Sequence, residues 1–106
     1  ISALNCATNS ITNLVLGEKP KLQELYAKSN QISNISISQN SKLHTANLHF
    51  NMLTDVDGFL ANCSGIKSLT INNNELKTLN LSTNKLLEYL ICTNNNITSL
   101  DFKTVR

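Results

Sequence analysis

The chain has 106 residues, of which 41% are hydrophobic and 15% are charged, and its formal net charge at pH 7 is +2. This composition is too apolar for a disordered segment, and the small charge gives no indication of nucleic-acid binding. No apolar run approaches the roughly 20 residues that cross a bilayer, and we expect no signal peptide within this stretch. Because one repeated pattern runs from the first residue to the last, we expect an excised piece of a longer protein.

That pattern is L-x-x-L-x-φ-x-x-N-x-φ, where φ is an apolar residue. Its five copies are, in chain order, ISALNCATNSI from Ile1, LQELYAKSNQI from Leu22, LHTANLHFNML from Leu43, IKSLTINNNEL from Ile66 and LEYLICTNNNI from Leu87. The starts lie 21, 21, 23 and 21 residues apart, so the third copy contains a two-residue insertion. A period of this length predicts a solenoid domain with repeats at 1–21, 22–42, 43–65, 66–86 and 87–106.

The second half of most repeats carries two apolar residues spaced by two. These pairs are Leu14 and Leu16, Ile35 and Ile37, Leu79 and Leu81, and Leu100 and Phe102. Such spacing turns both side chains to one side of an extended backbone. Turn-forming residues follow the pairs: Gly17, Ser38 and Ser82, then Asn40 and Asn84. We therefore predict two short extended segments per repeat, which stack into two facing parallel sheets around an apolar interior.

The third repeat departs from this scheme, because LTDVDGFLANCSGIKSL replaces its second extended segment. The apolar residues there are Val56, Phe59 or Leu60, Cys63 and Ile66, at spacings of three to four. This period predicts a turn of helix. Asp57 stands where a capping residue is expected.

Asparagine is unusually frequent, with 17 copies. The repeat register selects five of them as one column: Asn9, Asn30, Asn51, Asn74 and Asn95. A side-chain amide has two donors and an acceptor, so it can satisfy backbone groups where the chain leaves the sheet. Asn94 and Asn96 flank that column, and we expect them to be solvated.

The cysteines and histidines give little indication of a reactive site. Cys6 and Cys92 share one column but lie four repeats apart, roughly 19 Å, which is beyond disulfide reach. Three buried free thiols, including Cys63, are the favoured interpretation, and a disulfide or metal site is the alternative. His44 and His49 match no common metal-ligand spacing. Without any catalytic signature, we expect no enzyme activity, no metal and no cofactor.

The outward strand positions form the candidate binding surface. Its residues are Glu24, Tyr26, Lys28, His49, Phe50, Asn72, Tyr89 and Ile91. Large apolar groups on a rigid sheet are typical interface anchors. Scattered apolar residues are also normal on protein surfaces, so both interpretations stay open at this point.

The five copies resemble leucine-rich repeats over essentially the whole chain. The 21-residue length, and Cys6 and Cys92 in one ladder position, are most similar to the cysteine-ladder subgroup of bacterial internalin-like surface proteins. The resemblance implies a right-handed β/α superhelix, here mostly β, with a parallel concave sheet and a mostly extended convex side. It also implies that the concave sheet is used for binding.

We accordingly expect a non-catalytic protein-binding or adhesion module of a secreted or cell-surface protein. Its ligand is expected to be a protein or glycan on the concave face, with no nucleic-acid binding and no membrane insertion. The alternatives are a passive structural spacer and the repeat scaffold of a larger enzyme or effector. Neither end carries a polar cap, so we also expect self-association through apolar residues such as Ile1, Leu4 and Leu100.

Overall fold

The computed structural model describes the backbone of residues 2–101 and the side chains of residues 2–98. Its elements are, in chain order, β1 Ala3–Asn5, β2 Asn13–Val15, β3 Glu24–Tyr26, β4 Asn34–Ser36, β5 Thr45–Asn47, α1 Asp57–Ala61, β6 Ser68–Thr70, β7 Thr78–Asn80, β8 Tyr89–Ile91 and β9 Ser99–Asp101. The second member of the last apolar pair, Phe102, lies outside the described residues. No helix in the part of the chain that the structure describes is long and apolar enough to cross a membrane.

The first strand of every repeat joins one parallel five-stranded sheet, ordered β1-β3-β5-β6-β8, which we call the concave sheet. The register places Leu4, Leu25, Ala46, Leu69 and Leu90 in one row. Each step of the repeat therefore returns the chain to the same point one strand further on. The predicted solenoid with a parallel concave sheet is confirmed.

The opposite, convex side is extended in four of the five repeats. Its strands pair as two separate two-stranded parallel sheets, β2 with β4 and β7 with β9. The third repeat contributes α1 in the gap between them, where it packs against β4 and β7. The predicted helical turn is confirmed, and it divides the second sheet instead of continuing it.

The core lies between these two layers, and its side chains are most completely buried in the middle repeats. Leu25, Leu48, Leu69 and Ile71 have no exposed surface, and α1 adds Leu60 to the same core. Apolar residues of the terminal repeats are only partly buried: Leu4, Cys6, Ile11 and Leu14 at one end, and Leu90, Cys92 and Ile97 at the other. A repeat hides its apolar side only when another repeat covers it.

The prediction that Asp57 caps α1 is wrong. The helix begins at Asp57 itself, and the preceding Val56 makes no side-chain capping bond. The Oδ1 of Asp55 accepts the Asp57 N–H at 2.9 Å instead. Because Asp57 is already helical, its carboxylate is directed to the next repeat, where it accepts the Asn80 N–H at 2.9 Å and the Thr78 hydroxyl at 3.3 Å.

Two side chains of the helical segment thus replace a missing strand. Asp57 satisfies the edge of β7, and the amide of Asn62 donates to the carbonyl of Ile37, just after β4, at 2.9 Å. The bond to Asn80 is exposed and the bond to Ile37 is partly buried. The helix is therefore tied by hydrogen bonds to both halves of the convex side.

The predicted asparagine column is present and bridges successive repeats. Asn51 donates from its amide nitrogen to Ala27 and Leu48 carbonyls, both at 3.0 Å, and accepts the Ile32 N–H at 3.1 Å. Asn74 repeats this arrangement one repeat further on. The flanking Asn94 and Asn96 are exposed, as expected.

A second set of buried asparagines lies at the other bend of the repeat. Asn40 and Asn84 are 3% and 0% exposed. Asn40 donates to the Lys19 and Leu22 carbonyls at 2.7 and 3.1 Å, so it also bridges two repeats. The sequence marks both residues as turn-forming, but their burial depends on the neighbouring repeat and is visible only in the folded chain.

Candidate functional site

The outward face of the concave sheet is built from three columns, each with one residue per repeat. They are Ala3, Glu24, Thr45, Ser68 and Tyr89, then Asn5, Tyr26, Asn47, Thr70 and Ile91, and, just beyond the strands, Ala7, Lys28, His49, Asn72 and Thr93. Alternation along an extended chain turns these side chains away from the core. Seven of the eight predicted binding residues lie in these columns, which the parallel register brings side by side.

Phe50 is the exception. It lies in the bend after β5 with a φ of +59°, in a column with Thr8, Ser29, Asn73 and Asn94. Since His49 already points outward, its neighbour cannot share that direction, and the chain turns at Phe50. The ring is 52% exposed and meets the His49 ring edge to face, with centroids 5.4 Å apart. Phe50 therefore borders the surface without being part of the sheet.

Two tyrosines border the middle of the concave sheet, and we call the strip of outward side chains between them the trough. Tyr26 stands on the second strand of the sheet, and Tyr89, 54% exposed, stands on the fifth. The two tyrosines lie in neighbouring columns, and the two strands between them carry shorter side chains there: Thr45 and Ser68 in the column of Tyr89, and Asn47 and Thr70 in the column of Tyr26. Three strand spacings separate the tyrosine-bearing strands, a width of about 14 Å.

The tyrosine at one wall of the trough is held by its neighbour. The Tyr26 hydroxyl donates a hydrogen bond to Glu24 Oε1 at 2.9 Å. This bond, together with partial desolvation and the negative charge of Glu24, raises the pKa of Tyr26. The phenol therefore stays protonated, and the bond restricts the orientation of its ring.

Beside Tyr26, two polar side-chain atoms are covered by their neighbours and lack hydrogen-bond partners among the described residues. Asn47 Oδ1 and His49 Nδ1 are buried and make no hydrogen bond to any described residue. Burial and then the positive charge of Lys28 lower the pKa of His49, so that its imidazole is neutral at pH 7. Unpaired buried polar atoms are costly. Asn47 was not among the predicted site residues, although its place in the column of Tyr26 is readable from the repeat register.

The cysteines give no reactive centre within the described part of the chain. All three are free thiols, with Cys63 buried and Cys6 and Cys92 partly buried. Burial raises the pKa of Cys63 to about 12, so it remains a neutral thiol. Among the described residues, no three His, Cys, Asp or Glu side chains lie close enough together to hold a metal ion.

Two solved structures resemble this chain. The crystal structure of the LRIM1/APL1C complex matches with a TM-score of 0.81 and 26% identity, covering 93% of this chain and 18% of that one. The crystal structure of the APL1 leucine-rich repeat domain matches with a TM-score of 0.82 and 24% identity, covering 99% of this chain and 29% of that one. No protein-family profile and no curated protein matches by sequence.

These similarities agree with the architecture built up above: the chain has the leucine-rich-repeat solenoid fold. It spans less than a third of the length of either matching chain. The likeness therefore concerns the repeats themselves.

Proposed function

We propose that this chain is a non-catalytic protein-binding module that holds a protruding element of a partner protein in the trough of its concave sheet. The observation that carries the proposal is the pair of tyrosine-bearing strands separated by two strands of short polar side chains. One matching structure is that of the LRIM1/APL1C complex, which supports a protein ligand over a glycan.

The dimensions favour a particular kind of partner element. A helix with its side chains is about 10–12 Å across, which is comparable to the roughly 14 Å between the axes of the two tyrosine-bearing strands. Tyrosines provide large contact areas with few rotatable bonds, and they are frequent among residues that dominate binding energy. Tyr26 and Tyr89 would therefore clasp the sides of the element.

Polar recognition would come from the trough floor and its rim. The half-buried Thr45, Asn47, Ser68 and Thr70 form the polar part of the floor. Glu24 and Lys28 provide one charge of each sign on the second strand and just beyond it. His49 contributes a neutral ring beside Phe50.

The cellular setting is part of the same proposal. We infer a secreted or cell-surface adhesion role of the bacterial type from the 21-residue repeat length and the ladder position of Cys6 and Cys92. Only the sequence pattern supports this subtype. Recovery of the longer coding sequence tests it, because a secretion signal and wall anchor are expected on either side.

Selection from a library of displayed protein domains tests binding to the trough. We expect binders enriched on the wild-type chain to lose at least about 30-fold in affinity on the Tyr26→Ser/Tyr89→Ser variant, the loss of about 2 kcal/mol that marks dominant contacts. Val15→Ser is the matched control, because Val15 is 64% exposed on the convex side. Phe50→Asn tests the rim, since asparagine accepts the left-handed backbone that Phe50 adopts.

Binders that tolerate the double tyrosine substitution as well as they tolerate Val15→Ser would contradict the proposal. That outcome would favour the passive-spacer alternative for this segment. A selective loss on Phe50→Asn alone would move the binding centre from the trough to its rim.

A further inference from the structure

The bends that lead out of the concave sheet differ in charge from the bends that lead back into it. We call the first set the asparagine edge: residues 7–10, 28–31, 49–52, 72–75 and 93–96, which contain the asparagine column. Only two of these twenty residues, Lys28 and Glu75, are charged at pH 7, because the lowered pKa of His49 keeps its ring neutral. The asparagine edge is therefore an almost uncharged border of the trough.

The bends that lead back into the concave sheet form the opposite border, which we call the lysine edge: residues 17–23, 38–44, 61–67 and 82–88. Its charged residues are Lys19, Lys21, Lys42, Lys67 and Lys85, with Glu18 and Glu88. Lysine and glutamate are depleted in the buried centres of protein interfaces. By this criterion the lysine edge suits solvent, and the asparagine edge is the border that suits a partner protein.

Large apolar side chains stand at the middle of the asparagine edge. Phe50 is 52% exposed and Met52 is 46% exposed, on either side of the buried Asn51. The neighbouring repeats carry polar residues at the same positions: Ser29 and Asn73 in the column of Phe50, and Gln31 and Glu75 in the column of Met52. Aromatic residues and methionine are enriched in interface centres, and the flexible methionine side chain adapts to irregular surfaces. The third repeat therefore supplies an apolar centre within a polar border.

The backbone at Phe50 gives a second indication of a binding role. Its φ is +59°, a left-handed conformation that Thr8, Ser29, Asn73 and Asn94 adopt in the other repeats. This conformation is unfavourable for a bulky residue, whereas asparagine accepts it readily. Since the ring is also half-exposed, neither backbone preference nor core packing accounts for phenylalanine at this position. Side chains kept in spite of such strain are typical of functional sites.

The apolar centre is continuous with the trough through His49. This residue lies in the third outward column of the concave face, just beyond β5, and its ring meets the Phe50 ring at a centroid distance of 5.4 Å. The outward residues that lead there along the third repeat, Thr45 and Asn47, are uncharged. An element lying in the trough can therefore pass over His49 and reach Phe50 without crossing a charged side chain of that repeat.

We propose that the partner element held in the trough continues over the asparagine edge and places aliphatic or aromatic side chains against Phe50 and Met52. This inference rests on the function proposed above, and it adds the border at which the partner leaves the trough. The partner segment is apolar at this contact and is flanked by uncharged polar residues, which match the edge itself. The lysine edge remains in solvent.

The probes for this contact are domains selected from the displayed library on the wild-type chain and then shown to lose affinity on the Tyr26→Ser/Tyr89→Ser variant. The test variant is Phe50→Asn/Met52→Gln, which takes the residues that neighbouring repeats carry at the same positions, Asn73 and Gln31. We expect these domains to lose at least about 10-fold in affinity on it, measured by titration calorimetry. The matched control is Lys42→Gln/Lys67→Gln on the lysine edge, which should change the affinity less than about twofold.

The thermal midpoint of the test variant separates a binding role from a structural one. Asparagine suits the left-handed backbone, and both replaced side chains are about half exposed. The midpoint should therefore lie within about 4 °C of the wild-type value. A larger fall would show that Phe50 and Met52 are retained for stability, which overturns the proposal.

Three binding results would also overturn it. The first is that the trough-binding domains tolerate the test variant as well as the lysine-edge control, which would confine the partner to the trough and leave the proposed function intact. The second is a loss of affinity on the lysine-edge variant alone, which would place the exit at the opposite border. The third is self-association of the wild-type chain in sedimentation that disappears in the test variant, which would identify a second copy as the occupant.

Failure of the proposed function itself gives a different result. In that case none of the selected domains would be sensitive to the double tyrosine substitution. The inference drawn from the asparagine edge would then fall together with the trough.

Discussion

The two sides of this solenoid are stabilised in different ways. The concave sheet continues through all five repeats with one register, and its inter-repeat bonds are made by the backbone. The convex side is interrupted by α1, where the Asp57 carboxylate and the Asn62 amide make the bonds to the neighbouring repeats. A solenoid thus tolerates an irregular repeat when side chains take over the hydrogen bonds of a missing strand.

The concave and convex sides therefore differ in how well they tolerate substitutions. Backbone pairing on the concave sheet places few demands on the outward side chains, which are free to differ between repeats. This freedom allows tyrosines at the walls of the trough and short polar residues on its floor. On the convex side, by contrast, particular side chains are needed at the break.

The largest expected effect concerns the contribution of α1 to the core. Leu60 of α1 has no exposed surface, so Leu60→Ala should lower the free energy of unfolding by about 2–5 kcal/mol. Leu86→Ala, at a residue that is 53% exposed, should change it by less than about 0.5 kcal/mol. Urea denaturation measures both. Similar small losses would show that α1 is only loosely attached to the core.

The next effect concerns the asparagine column, which lies at the bend after the strands of the concave sheet. Asn74→Ala should cost about 1–3 kcal/mol of stability, because the backbone groups that it binds in two repeats lose their partner. Asn96→Ala is the control, and we expect little change there. Equal unfolding midpoints for the two variants would contradict the role of the column.

A smaller effect tests whether the Asp57 carboxylate replaces the missing strand as a hydrogen-bond acceptor. Asp57→Ala should lower the free energy of unfolding by about 1 kcal/mol, since the Asn80 N–H loses its acceptor. Asp57→Asn retains a side-chain oxygen and should recover most of the loss. Thermal unfolding of the two variants decides whether the Asp57 carboxylate acts as a hydrogen-bond acceptor or only through its charge. If only the charge matters, the asparagine variant would be as unstable as the alanine variant.

The smallest effect lies on the concave side and depends on pH. Burial lowers the pKa of His49 in the folded chain below the ordinary value of 6.5. The unfolded chain therefore binds a proton more readily, and stability should fall as the pH drops from above 6.5 through the lowered folded value. His49→Gln should flatten this dependence, measured by urea denaturation at pH 7.5 and 5.5. An unchanged slope would exclude His49 as the cause.

Much of the architecture was readable from spacing alone. The leucine and asparagine intervals predicted the parallel register, the inward residues and the column of Asn51 and Asn74, because a repeated interval places equivalent residues in one row. The three-to-four spacing around Phe59 predicted a helical turn, because residues three or four apart lie on one side of a helix. Seven of the eight predicted surface residues followed from alternation along the strands.

The remaining features depend on the contacts between neighbouring repeats. Asp57 looks like a cap in isolation, but the start of the helix directs it to Asn80, and Phe50 looks outward-facing until the bend after β5 is formed. Asn40 and Asn84 become buried only beneath a neighbouring repeat. The sequence determined the period and the columns, because these are local intervals along one chain. The tertiary structure decided the break on the convex side and the arrangement of the trough, because hydrogen-bond partners and burial arise only when repeats are stacked.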